Sequence, residues 1–520
     1  MASLPRAARS VVVALTVLAA VVGVTWAVLT PGFRAPDEPQ HLNSVLRLAH
    51  GGGWPDPGTA TMSVAVARAQ EEAALRTDLP GRFRDRGGVD AYTAVEPVPA
   101  AQRSSITAES ALAAASPRAV DQMTQHPPAY YAAAAATLHA AGLTEGRWDV
   151  VLLVLRLLSV AMIVPVVPLA ALAAWRVTAM PGAAVVAGAV PLALPQLWHV
   201  GGSVTNDALA ILTGTVCVAL IARVLTGDLR RRTAVALGLA AGLALLTKVY
   251  GVIVLPVVAL AFAVAPGAPW RRRTGAAATA LVTASVVGGW WWVRNVVVLG
   301  AVQPGGMAAP GVPADDSTPA YVAQAVRRLA RSFVGNLAWL EVPMPAPAVL
   351  AVLAGLLALV VVALVRARTR RPMAVLVALP ALFGLAILWN ATYRHVTVGT
   401  IGGVQGRYLF SAVAALAVVA GTGAALAAGA GRERTFSLAR GALVPAVVGA
   451  CVVMAAFGLW FGFGAMYRAA GDDPSDAFAR WAGWSPLSSD QLLVLGGILV
   501  AAVLGVVVAL GTYGRRSVRP

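Results

Sequence analysis

The feature that most constrains this chain is a series of apolar runs close to 20 residues long, the length an α-helix needs to cross the roughly 30 Å hydrocarbon core of a bilayer. Twelve can be marked, at about 8–29, 156–175, 181–199, 206–225, 233–248, 251–266, 274–297, 346–365, 373–390, 408–430, 441–464 and 490–513. In lipid, backbone N–H and C=O groups must be bonded within the protein, so runs of this length read as helices. With 58% hydrophobic and 12% charged residues and a mean hydropathy of +0.74, the chain has too little polar surface to coat a water-soluble globule. The expected fold is all-α, a polytopic helical membrane protein of about 12 to 13 spans. The first run has no small-residue cleavage site and leads into Pro31-Gly32-Phe33, so it reads as a retained anchor. Both cysteines, Cys217 and Cys451, sit inside apolar runs, which excludes a disulfide framework or a thiolate metal site.

A net charge of +17 raises the question of nucleic acid. The arginines punctuate apolar segments rather than cluster with aromatics on a polar domain, a pattern of membrane topology and not of a nucleic-acid partner. A thirteenth segment, Pro127 to about Gly142, is Ala-rich and short for a span. If it does not cross, the positive-inside rule puts Arg6/Arg9, Arg176, Arg223 with Arg230–Arg232, Arg271–Arg273, Arg366–Arg371, Arg432–Arg440 and Arg515–Arg519 all in the cytoplasm. Under that topology 20 of the 40 Lys and Arg lie inside with only 2 of the 23 Asp and Glu, and both termini are cytoplasmic. The chain then divides into a first transmembrane helix (8–29), a long extracytoplasmic loop (30–155), transmembrane helices (156–297), a second extracytoplasmic loop (298–345) and C-terminal transmembrane helices (346–513). In the first loop, Gln40–Ala49 and Ser63–Leu75 are expected to form short interfacial helices, and Gly81–Ala101 to be mobile. No internal repeat is evident, which argues against a transporter built from inverted halves.

Groups able to do chemistry gather at the outer ends of the spans. Asp37 and Glu38 stand between Pro36 and Pro39, in a backbone restricted on both sides, with His41 one turn on. The pair reads either as a general base beside lipid or as the capped first turn of a helix. His126 precedes Pro127-Pro128-Ala129-Tyr130-Tyr131, where the tyrosines suit an interface anchor and the histidine could meet a phosphate or carboxylate. Asn206 and Asp207 begin another helix, after Gly201 and Gly202. Three cations share that side: Lys248, Arg294 after Trp290–Trp292, and Arg407 between Gln405-Gly406 and Tyr408. Each can snorkel to headgroups, or the three can converge on an anionic phosphate.

In order, Pro36-Asp37-Glu38-Pro39-Gln40-His41, His126 to Tyr131, Ser203 to Ala208, Trp292-Val293-Arg294-Asn295 and Gln405-Gly406-Arg407-Tyr408 resemble signatures of the GT-C superfamily of membrane glycosyltransferases. Within it they look most like a family of predicted bacterial membrane proteins of unknown function, and are similar to protein O-mannosyltransferases and lipid A aminoarabinose transferases. The resemblance spans roughly residues 10–410. It implies a GT-C-like fold, a bacterial plasma membrane and a polyprenyl-phosphate sugar donor. It also implies a catalytic role for Asp37 with Glu38 beside it, and donor-phosphate or acceptor binding by His41, His126, Asn206, Asp207, Lys248, Arg294, Gln405, Arg407 and Tyr408. A divalent cation, if one takes part, falls to Asp37 and Asp207, although no ligand cluster accompanies them. Two other classes stay open: a transporter or flippase of lipid-linked saccharides, and a non-catalytic envelope-assembly scaffold. Charges at span ends rather than at the midplane favour the enzyme.

Overall fold

The computed structural model describes residues 3–73, 96–305, 318–368, 370–399, 403–429, 438–469 and 471–517. Residues 81–95 of the stretch expected to be mobile, Arg432 and Arg434 of one arginine cluster, and Arg519 of another lie outside the described residues.

The apolar runs become helices. Among the described residues nine are long and apolar enough to cross a bilayer: Arg6–Leu29, Trp148–Thr178, Asp207–Leu225, Trp270–Leu299, Ala346–Arg366, Arg370–Thr397, Gly406–Ala427, Ala442–Tyr467 and Ser489–Arg515. The run expected as one straight span over 181–199 is instead a pair, Pro181–Ala193 and Pro195–Gly201, bent by 69°. Pro191 and Pro195 offer no N–H to the helix and crowd the preceding turn, which breaks it there. The Trp198 indole donates to the Pro191 carbonyl at 2.9 Å and so bonds one backbone group at the break. The segments expected over 233–248 and 251–266 are shorter than a full span. Arg231–Leu245 has 15 residues, and Val249–Ala263 opens as a 3₁₀ turn, so each is about 22 Å long. The helix expected from 156 starts earlier, at Trp148.

Packing follows side-chain size. Residues Ala183 to Ala189 are buried all round, and this small-residue helix lies against Val413–Ala427, itself almost wholly buried, at the centre of the bundle. The first helix packs on this centre and on the last, Ser489–Ser517, whose other faces expose Leu493, Val500 and Val508 as a lipid-facing surface does.

A polar layer covers one end of the bundle. Helices Glu38–Ala49 and Val64–Glu72 fall where short helices are expected. Pro127–Gly142 forms a helix only from Ala129 to Ala141, 13 residues or about 20 Å, too short for a bilayer core. It runs beside Glu38–Ala49, with His41 meeting Tyr131 at one end and His50 meeting the Thr144 carbonyl at the other. The second loop adds an amphipathic helix, Thr318–Val334, and a two-stranded hairpin, Asn336–Leu337 with Val342–Pro343, neither expected from uniformly apolar runs.

One contact sets the distance between the helix that starts at Asp207 and the turn that carries Arg407. A Cβ on Gly214 would lie 2.0 Å from the Ser411 carbonyl oxygen. Gly214→Ala should therefore force the backbones apart and cost about 1–3 kcal/mol, read as a lowered apparent Tm in detergent. Gly275→Ala, with nothing within 4 Å, should leave Tm unchanged, and equal Tm values for the two variants would refute this contact.

Candidate active site

The chain leaving the first helix turns sharply through Phe33 and Asp37, both left-handed at φ 62°. Asp tolerates that region, while Phe does so only where surrounding bonds hold it. Here they do: the Phe33 N–H donates to Glu38 Oε2 at 3.1 Å and the Trp339 indole donates to the Phe33 carbonyl at 2.7 Å. Glu38 is wholly buried and grips Arg156 with both oxygens, Nε to Oε1 at 2.8 Å and Nη2 to Oε2 at 2.6 Å, and Oε1 also accepts from the Val204 N–H at 2.9 Å. Arg156 spends its other donors on the carbonyls of Ala27, Thr30 and Pro31, so all five N–H groups are used. Glu38 therefore has no oxygen to offer a substrate. The expectation of two adjacent reactive carboxylates gives way to one that is locked and one that is presented. Arg156 was missed because the sequence reading put the span boundary on it. The signal was there, since an arginine inside Val150 to Val160 is costly enough to require a named partner.

Asp37, with its side chain 23% exposed, projects from this turn into a cluster of charges. Its Oδ2 accepts from Arg407 Nη2 at 2.5 Å, while among the described residues Oδ1 has only the Gln122 amide at 3.4 Å. Arg407 also donates to the Pro36 carbonyl at 3.2 Å, and its Nε lies 3.4 Å from Asp207 Oδ2, near enough for an ion pair but not aligned as a hydrogen bond. Lys248 Nζ donates to Asp207 Oδ1 at 2.6 Å and sits 4.7 Å over the Tyr408 ring, on which Arg407 also lies at 5.4 Å. Asp207, at the N-terminal end of a 19-residue helix where backbone dipoles favour an anion, thus anchors both cations. The Gly406 N–H donates to Ser332 Oγ at 2.8 Å, and a Cβ there would come 2.2 Å from the Phe333 nitrogen, so only glycine brings Arg407 this close to the second loop.

Around this cluster stand the histidines. His41 Nδ1 is 2.9 Å from the Tyr131 hydroxyl and its Nε2 3.5 Å from Thr205 Oγ1. His126 is buried, with Nδ1 unpartnered, as are Asn206 Oδ1 and Gln405 Oε1. Burial first, then Arg407 and Lys248, holds the His41 imidazole well below its usual range, and burial with Lys248 does the same to His126. Arg294 is the exception. It pairs at 2.9 Å with the half-exposed Asp56 of the first loop and lies 5.6 Å from the Trp291 ring, outside the cluster it was expected to join. No group of three or more His, Cys, Asp or Glu is gathered as a metal would need among the described residues. Asp37 and Asp207 both engage the Arg407 guanidinium, which takes the position between them, so this donor set does not fit a divalent cation.

Removing one partner of the buried Glu38–Arg156 pair strands the other's charge, and should cost about 3–5 kcal/mol. Glu38→Leu and Arg156→Met should each lower Tm sharply, and the double variant should lose much less than the two added together. Strict additivity would mean that the pair is not coupled. The histidines contribute to the acid limb of stability. Both are neutral when folded, whereas the unfolded chain takes up protons near the ordinary value of 6.5, so stability is full above that pH and falls below it. Each contributes about 1.4 kcal/mol per pH unit, and His126→Gln should flatten the loss between about pH 6.5 and 5 by that slope. Thermal unfolding across that range checks it, and an unaltered slope would contradict it.

Comparison with solved structures finds ArnT from Cupriavidus metallidurans bound to undecaprenyl phosphate, at TM-score 0.49 and 16% identity, covering 96% of this chain and 74% of that one. The archaeal oligosaccharyltransferase AglB from Archaeoglobus fulgidus, in complex with an inhibitory peptide and a dolichol-phosphate, overlaps at TM-score 0.45 and 14% identity, covering 90% of this chain and 57% of that one. At these values each is a likeness and no more. Comparison with curated proteins gives no match. The family described as a predicted membrane protein, DUF2142, matches residues 20–416, most of the chain, and this polytopic membrane protein belongs to that family.

Proposed function

We propose that this protein is a membrane glycosyltransferase that moves a sugar from a polyprenyl-phosphate donor to an envelope acceptor, with inversion, on the extracytoplasmic face of a bacterial plasma membrane. The observation that carries the reading is a single partly exposed carboxylate, Asp37, paired with Arg407, while a second carboxylate, Asp207, holds both Arg407 and Lys248. The arginine asymmetry supports the sidedness, with both termini cytoplasmic.

Asp37 Oδ1 is the oxygen left for an acceptor hydroxyl. It takes the hydroxyl proton while the acceptor oxygen bonds to the anomeric carbon from the face opposite the phosphate. The bond from that carbon to the phosphate oxygen breaks, and the charge left on the lipid phosphate falls to Arg407 and Lys248. Two carboxylates and two cations balance at rest, so an arriving phosphate competes with Asp37 for Arg407. Binding of donor thereby frees Asp37 from its arginine and makes it a stronger base. Glu38 acts through the turn it holds, as a positioning residue. Asn206, Gln405 and His126, each with a buried unpartnered atom, are suited to contact donor or acceptor, and no step needs a metal.

The test is to incubate the purified full chain with labelled polyprenyl-phosphate sugars and envelope extracts and to follow acceptor-dependent loss of donor. Asp37→Asn, which leaves Arg407 its Asp207 contact, should still fold with a lowered Tm and lower turnover by about 10² to 10⁴-fold. Full activity in that variant would remove Asp37 from the mechanism. Donor that moves between leaflets without being consumed would indicate a flippase instead, and no turnover with any donor would leave the scaffold reading.

A further inference from the structure

The second-loop helix Thr318–Val334 is strongly amphipathic, and its two faces are used differently. Tyr321, Ala325 and Leu329 are buried on Ile387, Ala391 and Val404. The Tyr321 hydroxyl donates to the Ala391 carbonyl at 3.3 Å, and its ring stacks on His395 at 3.7 Å. At the other end Phe333 packs on Phe410 at 5.5 Å, beside the Gly406 turn. This 17-residue helix is thus held at one end by the last turns of the span Arg370–Thr397 and at the other by the turn that carries Arg407.

The remaining face exposes Arg327, Arg328 and Arg331, neighbours at helical spacing, and the span below adds exposed Arg394. No acidic residue lies between 318 and 334, and none of these four arginines has a carboxylate partner among the described residues. On the end of that span Trp389 and Tyr393 are 76% and 59% exposed beside Arg394, and Tyr321 of the helix stacks on His395 there. Exposed Trp and Tyr at the end of a span occupy the headgroup layer. Four unpaired guanidiniums at that level face lipid phosphates, which a planar fork can grip through two oxygens.

We propose that Arg327, Arg328, Arg331 and Arg394 form a docking surface for anionic phospholipid headgroups, so that the helix bracing the Arg407 turn is seated on the leaflet itself. This holds whether or not the chain transfers sugar. Hydrogen exchange of the full chain in nanodiscs reads it locally. Peptides covering 318–334 should exchange on the order of tenfold more slowly in equimolar phosphatidylglycerol and phosphatidylcholine than in phosphatidylcholine alone, while the helix Trp148–Ile163 should not change. Replacing all three helix arginines by glutamine should abolish the difference, and replacing them by lysine should keep most of it, which separates charge from folding. Equal exchange in the two lipids, or slowing that survives the glutamine variant, would overturn the proposal. So would slowing reproduced in phosphatidylcholine by inorganic phosphate or by a soluble polyanionic glycan.

Discussion

The bidentate bond between Glu38 and Arg156 joins four pieces of chain: the end of the first helix, the turn after it, the helix Trp148–Ile163 and the segment at Val204. Two charges this deeply buried would ordinarily be costly, and here the cost is offset because every guanidinium N–H and both carboxylate oxygens are bonded. The lock leaves few freedoms to the turn. Phe33 is fixed through its N–H by Glu38 and through its carbonyl by Trp339, and Asp37, four residues on, is turned toward Arg407.

From that constraint follows a division of labour among three carboxylates that look alike in sequence. Glu38 is consumed by structure. Asp207 is buried and holds Lys248 at 2.6 Å with Arg407 nearby, so it orders the cations. Asp37 alone keeps a partly exposed side chain and an oxygen with only a long contact. Environment separates their roles, and the same logic divides the cations, since Arg294 is engaged by half-exposed Asp56 while Arg407 and Lys248 both pair with Asp207 and lie near the Tyr408 ring.

Much of this was legible in the residues. Apolar run length located the helices, the ordered polar motifs named Asp37, His41, His126, Asp207 and Arg407, and the cation ending an apolar run named Lys248, all of which the fold gathers around one site. What escaped depended on direction rather than on residue type. Arg294 ends an apolar run as Lys248 does, and nothing local says that one turns toward Asp207 and the other toward Asp56. The bend at Pro191 and Pro195 needed weight on proline over run length. The 318–334 helix carries its signal in amphipathicity, which a search for uniformly apolar spans passes over.

On the proposed mechanism, an entering lipid phosphate takes Arg407 from Asp37. An experimental structure of the full chain with a polyprenyl phosphate bound tests it most directly. Phosphate oxygens should then lie within hydrogen-bond reach of Arg407 and Lys248, and the Asp37–Arg407 separation should open from 2.5 Å to beyond bonding distance. A phosphate bound elsewhere, with the Asp37–Arg407 pair intact, would contradict it.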